Sequence, residues 1–224
     1  MAQVVVVAGG TGLVGSALVA QLIADTDVER VVCVGRRAQP VPPGAADSKL
    51  QSRVVPVLKN VSEDDLPKDA DTAYCALGTT MKQAGSKDAF LDVDKHAVLA
   101  FARAARKNGA RRFILVSSIG ADPRSVNFYL RTKGEVEEAL RAMGFASVHV
   151  LRPSFLDGPR QAARTGEKIG LVLANAAKGV LGTSWRYAPI LDAVVARAMR
   201  KLAADSAPGF FIHESPALQK LGQA

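Results

Sequence analysis

The chain is poor in cysteine and in aromatic residues, with two cysteines and 5% Phe, Trp and Tyr among 224 residues. Two thiols cannot staple a domain of this length, so stability has to come from an apolar core, which the 48% hydrophobic content can build. Cys33 and Cys75 fall inside apolar runs that read as the second and fourth strands of a sheet, with the first strand between them. No disulfide is expected, both thiols read as small buried hydrophobes, and a reducing cytoplasm is the expected compartment. Long hydrophobic runs are missing too. Nothing approaches the roughly 20 consecutive apolar residues of a membrane span, and the stretch from Val4 to Val7 runs straight into a glycine-rich turn. That stretch predicts a strand, not a signal peptide, and no membrane partner is expected.

Acidic residues are the minority, 21 against 29 Lys and Arg, for a net charge of +8. Such a surplus fits nucleic acid, an anionic cofactor or simply a basic surface. The basic residues are scattered, as Arg36-Arg37, Arg103-Arg106-Lys107, Arg111-Arg112 and Arg197-Arg200-Lys201, without interleaved aromatics. No nucleic-acid partner is therefore expected. His96, His149 and His213 are far apart and show no metal-ligand spacing, which leaves them structural roles and predicts no metal site. Asp92 and Asp94, two apart on a predicted helix, cannot share a face and are expected in solvent.

What the chain does have is alternation. Short β-branched runs read as strands at 3–8, 30–35, 53–58, 72–76, 112–117 and 147–151, apolar enough to be covered on both faces. Helical spacing lies between them at 12–24, 87–107 and 126–143, with Gly109 and Gly144 as C-terminal stops. The Pro/Gly-rich stretch 39–44 reads as a loop. This order predicts an α/β fold, a doubly wound parallel sheet of the Rossmann type in one domain. Beyond Leu151 the pattern becomes irregular, with helices expected near 169–177 and from Pro189 to about Ala203, and a last strand at 210–213. Residues from about 152 are expected to add a small C-terminal cap on the substrate side.

The turn after the first strand carries Gly9, Gly12 and Gly15 at three-residue spacing, then opens a helix. The first glycine permits the tight turn, the second lets backbone N–H groups of Thr11 to Val14 approach a pyrophosphate, and the third lets helix and strand pack closely. The helix N-terminus then faces the anion. The second strand ends in Val34-Gly35-Arg36-Arg37, with two arginines where an NAD site would carry an acid. Guanidinium groups there pair with a ribose 2′-phosphate, so NADP(H) is expected before NAD(H). The alternative for Arg36 and Arg37 is a solvated surface. The fourth strand ends in Leu77-Gly78-Thr79-Thr80, small residues that either border the cofactor or form an ordinary turn.

Tyr129 and Lys133 are four apart on a predicted helix and project from one face. An ammonium one turn away favours phenolate over phenol, which suits Tyr129 to exchange a proton with a carbonyl or alcohol oxygen. The fifth strand ends in Ser117-Ser118-Ile119, placing hydroxyls at the same sheet edge to orient that oxygen.

The glycine turn, Ser117/Ser118 and Tyr129-x-x-x-Lys133 together resemble the short-chain dehydrogenase/reductase superfamily. Leu77-Gly78-Thr79-Thr80, Ser117-Ser118-Ile119-Gly120-Ala121-Asp122, Tyr129-Leu130-x-x-Lys133-Gly134-Glu135-Val136-Glu137 and Arg152-Pro153 narrow the match, with Asp157-x-x-Arg160-Gln161-x-x-Arg164-x-Gly166-Glu167 downstream. They are similar to the atypical subgroup of Tat-interacting-protein-like oxidoreductases. The resemblance implies NADP(H) binding, Tyr129 as proton acceptor, and Lys133 as its partner on the nicotinamide ribose. It also implies cofactor contacts from Gly9, Thr11, Gly12, Leu13, Val14 and Gly15, from Arg36, Arg37, Leu77 and Gly78, and from Leu156 and Arg164. Better-known reductases of the superfamily carry their serine one residue further on, where this chain has Ile119. The role falls to Ser118 or Ser117.

The function expected is hydride transfer between NADP(H) and a small carbonyl or alcohol substrate. Two alternatives stand beside it: an NADPH-binding regulatory protein without turnover, and an epimerase or dehydratase. A small cap leaves little room for the nucleotide-sugar of the latter.

Overall fold

The computed structural model describes residues 3–44, 47–157 and 187–223. Uninterrupted β-branched runs set its centre. β1 (Gln3–Ala8) and β2 (Val28–Gly35) pair in parallel, joined by α1 (Leu13–Ala24). β3 (Leu50–Val54) adds to the outer side of β2, after which the chain crosses back to place β4 (Thr72–Cys75) on the other side of β1. A short helix α2 (Met81–Ala84) follows. Next come α3 (Lys87–Leu91), a π-helical turn (Asp92–Ala97) and α4 (Val98–Lys107), which run on without a break. β5 (Arg112–Val116), α5 (Phe128–Arg141) and β6 (Ser147–Arg152) complete the second half. After a minor strand pair, β7 (Leu156–Asp157) with β8 (Ile190–Leu191), the chain returns as α6 (Asp192–Ala203), β9 (Gly209–Glu214) and α7 (Ser215–Gln223). The main sheet has seven parallel strands in the order β3-β2-β1-β4-β5-β6-β9. Its direction of winding reverses between β1 and β4, and a crevice opens there at the carboxyl ends of the strands.

Alternate residues of β1 feed two cores, as the pleat requires. Val4 and Val6 point to the layer of α4 and α5 and pack with Phe101, Phe113 and Leu140. Val5 and Val7 point to the layer of α1, α6 and α7 and pack with Leu18, Leu22, Met199 and Leu218. Cys33 and Cys75 are free and buried on the strands flanking β1, and burial pushes both thiols up to about 12. Gly109 and Gly144 end α4 and α5 with φ of +98° and +75°, the left-handed geometry that favours glycine.

Three expectations need adjustment. The third strand is Leu50–Val54, not residues 53–58. At the sheet edge it pairs only with β2 and has no need of an apolar run, whereas Val57 and Leu58 go on to wall a cavity. Helix α7 was not anticipated, although Ser215-Pro216 is a helix-start signal and Leu218 and Leu221 share a face. Of the C-terminal third, residues 187–223 contribute mainly to the central layers, since α6 packs on α1 and β9 pairs with β6, while most of the stretch expected to form the cap lies outside the described residues. Among the described residues, the β7/β8 pair stands apart, with Phe155 and Tyr187 beside it. The helix expected near 169–177 lies outside the described residues.

Two histidines distant in sequence meet on β6 and β9. His149 Nδ1 lies 3.0 Å from His213 Nε2, and the His149 ring stacks on Phe211 at 5.0 Å. Burial, with His213 beside it, pushes His149 down to about 4. The folded protein thus holds His149 neutral while the unfolded chain protonates it near 6.5. Its stabilising contribution is complete above pH 6.5 and is lost as pH falls towards 4, a loss of about 2 kcal/mol at pH 5. Urea midpoints at pH 7.5 and pH 5 measure it. His149→Phe should flatten the difference, and a variant as acid-sensitive as the parent would show that other groups carry it.

Candidate active site

The crevice is built first from backbone. Gly9 adopts φ +85°, and a Cβ there would stand 2.5 Å from the Ala76 carbonyl carbon at the end of β4. A Cβ on Gly15 would overlap the Gly9 carbonyl oxygen, so α1 abuts the turn only because that atom is missing. Gly12 N–H donates to Gly9 O at 3.0 Å and Gly12 serves as N-cap of α1, with no side chain capping the helix and no acid in its first turn. The first-turn N–H groups therefore face the crevice with a partial positive charge and no internal competitor, which fits a pyrophosphate.

Two adjoining cavities open from this turn. One, of about 310 Å³, is lined by Gly9 to Gly12, by Arg36 and Arg37 at the end of β2, and by Val57, Leu58 and Lys59. It has the composition of an adenosine site, with apolar walls for the base and exposed guanidinium groups at the ribose end. The other, of about 690 Å³, is lined by Gly12, Leu13 and Val14, by Thr79 and Thr80, and by Ser117, Ser118, Tyr129, Lys133, Phe155, Leu156 and Tyr187. Gly12, Ala76, Leu77 and Gly78 border both, so the cavities adjoin at the carboxyl ends of β1 and β4.

Helix α5 supplies one wall of the larger cavity. Asn127 caps it by accepting the Leu130 N–H at 3.2 Å. Gly134 brings it against the preceding loop so closely that a Cβ there would collide with Asp122 and Pro123. Tyr129 and Lys133 line the same cavity, with Lys133 Nζ 6.0 Å from the Tyr129 ring centre and the Tyr129 ring tilted on Phe90. The buried Lys133 ammonium lies 2.8 Å from Asp94 Oδ1. Burial opposes its charge most strongly, but Asp94, together with Tyr129 and Cys75, more than offsets it and holds the lysine above its ordinary value.

The two serines separate. Ser117 Oγ donates to Glu137 Oε1 at 2.5 Å, and Glu137 also receives Arg152 through both carboxylate oxygens, so this buried hydroxyl is committed to a structural network. Half-buried Ser118 makes only a long contact, 3.3 Å, to the Ile119 carbonyl oxygen. Of the two, Ser118 has the hydroxyl available to the cavity.

Asp94 corrects the expectation of a solvated acid. Its side chain is fully buried, on the face that Phe90, Ala97, Val98 and Phe101 turn to the core, while Asp92 on the other side stays exposed and pairs with Lys59 at 2.8 Å. Helical spacing from Phe90 puts Asp94 on that buried face, although its partner lies 39 residues further on. Gln39 and Lys59 on the adenosine-type cavity were also missed, since both come from irregular segments. Leu156 lines the larger cavity, whereas Arg164 is outside the described residues, as are Arg160, Gln161, Gly166 and Glu167. Among the described residues no group of three or more His, Cys, Asp or Glu side chains can hold a metal ion, and no helix is long and apolar enough to cross a membrane.

Comparison with known proteins agrees with this geometry. A family model described as NAD(P)H-binding matches residues 9–177. Protein fmp52, mitochondrial, of Emericella nidulans is 36% identical over 79% of this chain and 76% of its own length. Protein HTATIP2 of Rattus norvegicus is 32% identical over 98% of this chain and 89% of its own. In fold, the chain is similar to the UDP-glucose 4-epimerase of Thermus thermophilus solved with NAD, at a TM-score of 0.67 and 19% identity, over 97% of this chain and 81% of that one. These relatives overturn the cytoplasmic expectation. Several fungal ones are named mitochondrial proteins, and a reduced, buried thiol does not distinguish one reducing compartment from another.

Proposed function

The chain belongs to the NAD(P)H-binding family, and from that premise we propose that it is an NADP(H)-dependent oxidoreductase acting on a small carbonyl or alcohol. The observation that carries this reading is the pair of adjoining cavities. Arg36 and Arg37 stand at one end, the glycine turn lies in the middle, and Tyr129, Lys133 and Ser118 share the wall at the other. When bound, the nicotinamide supplies or accepts the hydride. Tyr129 gives a proton to the carbonyl oxygen in reduction and takes it from the alcohol in oxidation. Lys133 sets its positive charge 6.0 Å from the Tyr129 ring centre and would hold the nicotinamide ribose. Ser118 donates a hydrogen bond to the substrate oxygen and fixes its distance from Tyr129. Phe155, Leu156 and Tyr187 give the substrate end an apolar wall. The mitochondrial names of the fungal relatives suggest a mitochondrial setting for the same chemistry.

Turnover of NADPH with a panel of aldehydes, ketones and quinones tests the activity. Tight NADPH binding with no oxidation across the panel would replace it by a non-catalytic, cofactor-sensing role. The cofactor preference has its own test. Arg36→Ala with Arg37→Ala should weaken NADPH by roughly 10–100-fold, the worth of charge-assisted bonds to a phosphate, and leave NADH nearly unaffected. An equal loss for both cofactors in calorimetry would remove these arginines from 2′-phosphate recognition.

A further inference from the structure

Asp94 ties three separate elements together. It sits on the π-helical turn, its Oδ2 accepts the Thr79 N–H at 2.8 Å from the loop after β4, and its Oδ1 meets Lys133 of α5 at 2.8 Å. The side chains of Asp94 and Lys133 are 0% and 6% exposed. Their neighbours on the same helices are occupied elsewhere, Lys95 with Glu135 at 2.7 Å and Asp92 with Lys59. Gly78 lies against the pair, since a Cβ there would stand 3.5 Å from Asp94 Oδ1 and 3.7 Å from Lys133 Nζ. Asp94 and Lys133 both line the larger cavity, beside the stretch it shares with the smaller one.

A buried ammonium without a counter-charge is costly and loses its proton readily, its midpoint falling by up to about 3–5 units. The ionisable groups around Lys133 are Asp94 from the π-helical turn, Tyr129 from its own helix and Cys75 from β4. Burial pushes the Cys75 thiol up to about 12, so it is neutral at working pH, and Tyr129 is the group that exchanges the proton. Asp94 is therefore the standing counter-charge.

We propose that Asp94 is a positioning residue, which keeps the Lys133 ammonium charged and fixed beside Gly78 so that it meets Tyr129 and the cofactor ribose as a cation. This rests on the oxidoreductase reading for its purpose, though not for its test. Asp94 touches neither substrate nor reacting atoms. Its carboxylate anchors the lysine to the loop after β4, so that the charge and the crevice wall move as one body.

The test is an NMR titration of the full chain labelled at lysine Cε, with the Lys133 signal assigned by its loss in Lys133→Met. In the parent, Lys133 should stay protonated beyond about 10.4, the ordinary lysine midpoint. In Asp94→Asn, which keeps the shape and an acceptor for Thr79, the midpoint should drop below that value, and Asp94→Glu should recover part of the shift. An unchanged midpoint in folded Asp94→Asn overturns the proposal. If that variant does not fold, the parent decides alone, since a Lys133 midpoint below the ordinary value is incompatible with the clamp. No substrate is needed, so a failed turnover assay and a failed clamp are read independently.

Discussion

Tyr129→Phe is expected to bind NADPH as the parent does and to lose turnover by about 10²–10⁴-fold, the usual contribution of a positioned proton donor. The ring is held independently of its hydroxyl, tilted on Phe90 with centroids 5.6 Å apart, so removing the oxygen should leave α5 and the cavity in place. On the function proposed, cofactor affinity rests on the glycine turn and on Arg36 and Arg37, which line the other cavity. The informative measurement is the pair of numbers, cofactor affinity by calorimetry and turnover by NADPH absorbance on one preparation. Loss of turnover with intact binding assigns the proton to Tyr129. Equal turnover in the two proteins would remove Tyr129 from the chemistry.

The largest expected effect on stability lies two helical turns along α5 from Tyr129, at Glu137. Its side chain is 6% exposed, and its carboxylate takes the Ser117 hydroxyl at 2.5 Å and Arg152 at 3.2 and 2.5 Å. Arg152 reaches on to Glu214 of β9 at 3.6 Å. Glu137→Ala leaves a buried guanidinium and a buried hydroxyl without their main partner, which typically costs about 3–5 kcal/mol. In a chain of this size that corresponds to a fall in Tm of roughly 6–20 °C, read by thermal unfolding at neutral pH. Glu137→Gln, which keeps one acceptor oxygen, should lose less. A Tm for Glu137→Ala within a degree or two of the parent would mean that Arg152 finds equivalent partners in Glu214 and solvent.

The parts of the site legible in the sequence are those whose geometry is local. Gly9, Gly12 and Gly15 declare themselves because a turn between strand and helix leaves no space for Cβ atoms, and the spacing follows from the turn alone. Tyr129 and Lys133 are legible because four residues make one turn of a regular helix. Asp94 is legible by the same counting: it falls four residues after Phe90 and three before Ala97, on the buried face, so two acids that cannot share a face lie one inward and one in solvent, and the expectation that both are solvated fails. The choice between Ser117 and Ser118 was beyond the sequence, since it depends on Glu137 and Arg152 meeting Ser117 from two other elements. β3 was displaced because an edge strand needs no continuous apolar run. The two cysteines, by contrast, lie on the strands either side of β1, as their apolar surroundings implied.

Gly134 has a consequence for how this scaffold tolerates change. Backbone meets backbone where α5 touches the Asp122–Pro123 loop, so the distance between helix and loop is set by a mechanical stop rather than by interchangeable side chains. Substitutions elsewhere in the core can shift volumes by a methylene or two without altering how far Tyr129 stands from the sheet edge. The opposite wall, at Phe155, Leu156 and Tyr187, has no such stop. Drift in substrate preference should therefore accumulate on that side, around a proton-transfer position that stays registered to the main chain.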